Sequence, residues 1–150
     1  MSYIYFEDIE DGTVRDLGSY TVPKDEMIAF SERYDPQPIH VDEAAAEASV
    51  FGEIIASGWY TASVCMRLLV DEFLGKAASI GSPGLDELSW LTPVYAGDTL
   101  IVENEILETR PSGSRDDRGY ARNQTRAYNQ DGDEVLTWTG TNIILRRNAD

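Results

Sequence analysis

The chain has 150 residues, 42% hydrophobic and 10% aromatic, with a formal net charge of −15 at pH 7. That size suits one domain with a sizeable core, and that composition excludes wholesale disorder. The 27 acidic residues against 12 basic ones repel phosphate backbones, which argues against nucleic-acid binding, and the lone Cys65 excludes an intrachain disulfide framework and reads as a small core residue.

Taken in chain order, residues 1–10 are aromatic and acidic and predict a strand or arm laid on the body. Residues 13–22 predict a strand ending at Pro23, and Lys24–Tyr34 a helix with Met27, Ile28, Phe30 and Ser31 on its apolar side. Asp35-Pro36 ends that helix. The segment Asp35-Pro36-Gln37-Pro38-Ile39-His40-Val41-Asp42 carries two further backbone constraints, since each proline fixes φ and biases the residue before it toward extended geometry. It therefore reads as a stiff loop rather than a helix or strand. Asp42 is the expected N-cap of a short helix over Glu43–Ser49, which Phe51-Gly52 breaks. A long helix is expected to begin at Ser57-Gly58 and to run over residues 59–75, apolar nearly all round and hence buried, with Gly75 stopping it.

The second half reads as β. Leu85–Leu91, Thr99–Thr109, Gly119–Asn129 and Val135–Leu145 are strand candidates, with turns at Tyr95-Ala96-Gly97-Asp98 and Asp131-Gly132 and a polar loop over Pro111–Asp117. Along Gly119–Asn129, Ala121, Thr125 and Ala127 alternate with Tyr120, Arg122, Gln124, Arg126 and Tyr128. A helix followed by antiparallel strands makes an α+β domain with the sheet wrapped on the helix. Exposed sheet edges invite a second copy, so a homodimer is expected.

His40 is the only histidine, and Asp35 lies five positions before it on the same stiff segment. An unperturbed imidazole titrates near ~6.5, which suits proton transfer at neutral pH. A lone histidine is ordinarily a surface or capping residue; the prolines, the carboxylate and the helix start downstream favour function here. Gln37 between them can donate and accept hydrogen bonds and so orient a water or a carbonyl. Ser57-Gly58 opens a helix whose first N–H groups lack partners and carry partial positive charge, a setting that suits an oxyanion, and glycine admits close approach. Ser57 has no second histidine to serve as its base, so it is not read as a nucleophile. One histidine and one cysteine argue against a zinc site, and no glycine-rich phosphate loop follows a strand. Trp59, Trp90 and Trp138 are expected in the core or an interface, and Asp71 and Glu72 in a solvated turn. The five arginines from Arg110 to Arg126 are expected to pair with surface carboxylates rather than with the phosphates of an acyl carrier.

At these residues the chain resembles the MaoC-like dehydratase family, which includes the R-specific enoyl-CoA hydratases. That family's signature is Asp, a variable residue, Asn, Pro, an aliphatic residue and His, with an acidic residue two positions on; here it reads Asp35-Pro36-Gln37-Pro38-Ile39-His40-Val41-Asp42. Phe51–Gly58 and Leu88–Leu100 resemble the family's later segments, so the likeness spans roughly residues 10–146. The resemblance implies a single hot-dog domain over 1–150, a long central helix wrapped by an antiparallel sheet. It also implies a dimer binding acyl-CoA near the subunit interface, with no cofactor beyond the coenzyme A of the substrate. It assigns the reaction to Asp35 and His40, and thioester-oxygen binding to the Gly58 N–H, with Gln37 and Ser57 beside it. Gln37 stands where the family has Asn, and Ser57 where several hydratases have His. The implied activity is reversible hydration of a trans-2-enoyl thioester; an acyl-CoA thioesterase and a non-catalytic acyl-binding subunit on the same fold are the alternatives.

No apolar run approaches the length of a membrane span, and the N-terminus lacks a basic region followed by an apolar stretch, so neither an anchor nor a signal peptide is expected and the compartment is expected to be the cytoplasm. Ten arginines and only two lysines, Lys24 and Lys76, accompany the acidic excess. Such a surface suits high salt, where screening weakens self-repulsion. The fold is therefore expected to lose stability between molar and millimolar salt. An unchanged melting temperature across that range counts against the salt-adapted reading.

Overall fold

A computed structural model describes residues 3–147; Met1 and Ser2, the outer end of the expected arm, and residues 148–150 lie outside them. The alternation read over residues 119–129 becomes a strand buried at every second position, β4 (Arg118–Tyr128). Around it run β1 (Val14–Thr21), β2 (Ser79–Trp90), β3 (Thr99–Pro111) and β5 (Glu134–Leu145). The sheet has the order β1-β3-β4-β5-β2, and every pairing is antiparallel. Four helices fall between β1 and β2: α1 (Lys24–Tyr34), α2 (Pro38–Val41), α3 (Glu43–Ala48) and α4 (Gly58–Glu72). The long helix on a wrapped antiparallel sheet is the architecture expected from the sequence.

The helix α4 turns Val64, Cys65 and Leu69 into a core that Leu17 of β1 and Leu100, Val102 and Ile106 of β3 complete. With Tyr60 and Thr61, also buried, these helix residues recur at spacings of three and four and so lie on one stripe. Truncating Leu69 to Ala would cost about 2–5 kcal/mol, the range for opening a cavity at a fully buried leucine. Cys65 is fully buried, and desolvation pushes its thiol up to about 12. The expectation that α4 is buried all round does not hold within one chain: Trp59 is 56% exposed, Met66 39% and Val70 37%. The helix also stops at Glu72, and Gly75 sits in the 3-10 turn that follows (Leu74–Lys76).

Two other differences have local causes. Residues 38–41 form a helical turn where a loop was expected. Pro38 stands at its first position, where a fixed φ is already helical and the missing N–H would have had no partner. The strand β2 begins at Ser79 rather than Leu85. Gly81 and Gly84, at φ +125° and +152°, carry the chain through register breaks that a residue with a side chain would strain to adopt.

Other expectations are met. Asp42 Oδ1 accepts from the N–H groups of Ala44 (3.0 Å) and Ala45 (3.2 Å), capping α3; replacing such a cap by Ala costs about 1 kcal/mol. Ile4 pairs with the chain at Lys76 and Ala78, and Phe6–Asp8 forms a 3-10 turn, so the described part of the N-terminus is an arm on the body. Arg126 meets Glu103 and Glu105, Arg122 meets Asp86, and Arg118 and Arg115 both meet Asp117, which accounts for four of the five clustered arginines by surface pairing. Asn123, on the small-residue face of β4, was not foreseen as buried polar. Its Oδ1 accepts from Asn104 (2.8 Å) and its amide donates to Asn142 (2.9 Å), a buried polar ladder across three strands. Among the described residues no helix is long and apolar enough to cross a membrane.

Candidate active site

The segment Ile54–Ser57 is the hinge of the site. Its Ile55 N–H donates to the Ile39 carbonyl (3.2 Å), which ties it to α2, and its Ala56 N–H donates to the Val94 carbonyl (2.8 Å), which ties it to the segment after β2. These bonds bring the Asp35–His40 stretch against the first turn of α4. His40 is then aimed by a third bond: its Nδ1 lies 2.8 Å from the Ile55 carbonyl oxygen. A carbonyl can only accept, so Nδ1 carries a proton and, in the neutral ring, Nε2 is left as the base. Nε2 lies 3.4 Å from Asp35 Oδ2, and the two side chains are 7% and 18% exposed.

Asp35 is gripped at both oxygens. Gln37 Nε2 donates to Oδ1 at 2.8 Å, and Ser57 Oγ donates to Oδ2 at 2.7 Å. Bonds of this kind favour the charged form. The Gln37 amide first, then the Ser57 hydroxyl, hold the Asp35 carboxyl below the usual carboxylate range; partial desolvation opposes them, and His40 adds a smaller pull downward. Ser57 is fully buried and also caps α4, its Oγ accepting from the Trp59 N–H at 3.2 Å. Its hydroxyl proton is thus committed to Asp35, which agrees with its exclusion as a nucleophile.

Asp35, Gln37, His40 and Gly58 all line one cavity of about 380 Å³, with Ser57 directly behind Asp35. The Gly58 N–H has no acceptor among the described residues, whereas the next three N–H groups of the helix are taken by Ser57 through its side chain or carbonyl. One free donor at the positive end of a helix therefore stands beside the carboxylate–imidazole pair. Apolar walls come from Phe51, Ile55, Val94 and Val135, and Thr61 adds a hydroxyl one turn along α4. Trp138 is core, as expected, but Trp59 and Trp90 stand at the cavity. The space that Gly58 leaves is occupied by the Trp90 indole, so the glycine admits a side chain of the same chain. Nothing in the local sequence around Trp90 signals this, because the two residues meet only through the tertiary fold.

A larger hollow, about 520 Å³, lies between α1, α4 and β1. There Glu26 accepts from the hydroxyls of Tyr20 (2.6 Å) and Tyr60 (2.7 Å), which satisfies the carboxylate without a base beside it. Asp71 borders that hollow and pairs with Arg67 at 2.9 Å; it does not line the Asp35–His40 cavity. The carboxylate–imidazole pair of Asp35 and His40 lies in the smaller cavity.

The family model described as "MaoC like domain" matches residues 7–127. The uncharacterized protein YdeM of Bacillus subtilis (strain 168) is 31% identical over 137 residues, covering 91% of this chain and 94% of that protein. A 3-hydroxybutyryl-CoA dehydratase of Methylorubrum extorquens is 33% identical over 113 residues, covering 75% of this chain and 69% of the relative. Among solved structures, the MaoC-like dehydratase from Rhodospirillum rubrum superposes with a TM-score of 0.89 at 40% identity, covering 96% of this chain and 98% of that one.

The grip on Asp35 is open to direct measurement. Its ¹³C carboxyl resonance is expected to titrate below the ~3.9 of an unperturbed aspartate. In Gln37→Ala the midpoint should rise, because a bond to the charged form is lost. A folded pKa below the unfolded one contributes stability that is present above the unfolded pKa and disappears as pH falls through the folded value. Identical Asp35 titrations in the two proteins would remove Gln37 from this role.

Proposed function

The chain belongs to the MaoC-like domain family, and on that premise we propose that it is a hydratase/dehydratase that reversibly adds water to a trans-2-enoyl thioester of coenzyme A, giving the 3-hydroxyacyl thioester. The observation that carries the reading is the 3.4 Å approach of His40 Nε2 to an Asp35 carboxylate held ionised, in the same cavity as the free Gly58 N–H. The dehydratase named among the relatives supports the reaction class.

The chemistry follows from which atoms are free. One water can bond to both Asp35 Oδ2 and His40 Nε2. As its oxygen bonds to C3, its O–H breaks and Nε2 takes the proton. The π electrons of the C2–C3 bond move toward the thioester oxygen, where the Gly58 N–H and the helix terminus meet the developing charge. Asp35 stabilises the imidazolium so formed. The proton on Nε2 then passes to C2 as the enolate collapses, and His40 is neutral again. Read backwards, the same steps dehydrate a 3-hydroxyacyl thioester. Proton transfer and C–O bond formation need no redox cofactor, and coenzyme A enters only as part of the substrate. A thioesterase using the helix carboxylate finds less support, since Asp71 is paired with Arg67 away from this cavity.

A second copy of the chain is the partner we infer. Residues 80–87 of β2 are all exposed, and Ile80 and Leu85 there, with Trp90 at the end of the strand and Leu91 just past it, join Trp59, Met66 and Val70 of α4 as exposed large apolar side chains. Three register breaks and Pro83 interrupt β2, so these side chains offer more to a partner than the strand edge does.

Asp35→Asn and His40→Ala are each expected to lower kcat on crotonyl-CoA by about 10²–10⁴-fold with the fold intact by circular dichroism. Hydration near the wild-type rate by both variants sinks the reading, and thiol release with the enoyl absorbance unchanged selects a thioesterase. Light scattering should return twice the 16.7 kDa chain mass, and Leu85→Lys should shift the mass toward one chain; a monomeric wild-type protein at micromolar concentration contradicts the dimer.

A further inference from the structure

The proton chemistry uses Asp35, His40 and the Gly58 N–H, but it does not account for Trp90. This residue ends β2, and its indole Nε1–H donates to the Gly58 carbonyl at 2.7 Å across 32 residues of sequence. The ring also lies against Gly58: a Cβ there would come within 2.5 Å of Trp90 Nε1 and 2.7 Å of Cδ2. It also meets Trp59 edge to face, with centroids 5.0 Å apart and planes at 79°. Gly58, Trp59 and Trp90 all line the cavity that holds Asp35 and His40.

Glycine has the widest backbone freedom of any residue. At the first position of a helix its amide has no intrahelical bond to steady it. The peptide unit that carries the Gly58 N–H is held on its carbonyl side, where the Ser57 oxygen accepts from the N–H groups of Tyr60 (3.0 Å) and Thr61 (3.2 Å), but the N–H itself has no acceptor and the glycine Cα beside it is free to turn unless something outside the helix holds it. The next peptide unit is held at both ends. Its N–H, on Trp59, donates to Ser57 Oγ at 3.2 Å, and its carbonyl, on Gly58, accepts from Trp90. The indole meanwhile fills the side of the Gly58 Cα where a side chain would otherwise limit the backbone. The restraint that glycine lacks is supplied by a residue of another strand.

We propose that Trp90 is a positioning residue that aims the Gly58 N–H at the thioester oxygen. The identity of that oxygen rests on the hydratase reading above; the restraint of the amide does not. The stake is large, since a misplacement of about 1 Å at a reacting group can cost about 10²-fold in rate.

Two readouts test this, one with substrate and one without. Trp90→Phe keeps a ring against Gly58 but removes the N–H, and Trp90→Ala removes both. An interaction that strengthens in the transition state is lost from kcat rather than KM. With crotonyl-CoA, Trp90→Phe is therefore expected to lower kcat by about 10-fold with KM within about threefold, and Trp90→Ala to lower it further. Without substrate, the ¹⁵N order parameter of the Gly58 amide should fall in both variants, while residues 61–69 keep wild-type values. A Trp90→Phe protein with wild-type kcat and an unchanged Gly58 order parameter overturns the proposal. If the wild-type protein turns over no enoyl thioester, the hydratase reading fails, and the Gly58 order parameter alone decides: lowered, it upholds the positioning role; unchanged, it rejects it.

Discussion

An ionised carboxylate drawn partly out of water must be compensated, and the site is organised by how Asp35 meets that demand. Three segments converge on it: its own turn through Gln37, the N-cap of α4 through Ser57, and α2 through His40. Each bond that steadies the charge also fixes a neighbour. Ser57 cannot serve Asp35 without placing the head of α4 beside it, because the same hydroxyl oxygen accepts from the Trp59 N–H. His40 cannot face Asp35 through Nε2 unless its other nitrogen is held, and the Ile55 carbonyl holds it. Removing the carboxylate would thus loosen the arrangement of the site as well as its proton chemistry.

The remainder of the fold keeps these segments at their distance. The sheet buries one face against α4 and leaves the C-terminal end of β2 and the stretch through Val94 to wall the cavity. The Asn104–Asn123–Asn142 ladder, with Thr125 also accepting from Asn104, ties three strands together through directional bonds within the buried layer. A slip of one strand by a single residue would strand these amides without partners, at a cost of roughly 1–3 kcal/mol for each buried group left unpaired. The ladder therefore favours one register.

What was legible in the sequence is what local rules decide. The bounds of α1, the cap at Asp42, the start of α4 and the β4 alternation each follow from a few adjacent residues, and the structure agrees with them. The pairing of Asp35 with His40 was legible for the same reason, since one stiff segment carries both. What was missed depends on distant parts. Pro38 reads as a helix breaker until its place at a first turn is known, and the glycines of β2 read as a loop until β5 pairs with them. The all-round burial expected of α4 counted its apolar residues without knowing that the sheet of one chain covers a single stripe. Gln37 was read as able to orient a water or a carbonyl; that its Nε2 also donates to Asp35 is visible only once the turn is folded.

The close fit of Trp90 on Gly58 also has a historical consequence. A side chain at position 58 has no room while the indole is present, so Gly58 is locked by a residue 32 positions away. The lock is one-sided: a smaller residue at position 90 would open space for alanine or serine at 58, but the reverse order of substitutions passes through a clash. Related chains that carry a larger residue at the helix start should therefore have lost the indole first, which makes the order of change at these two sites predictable from sterics alone.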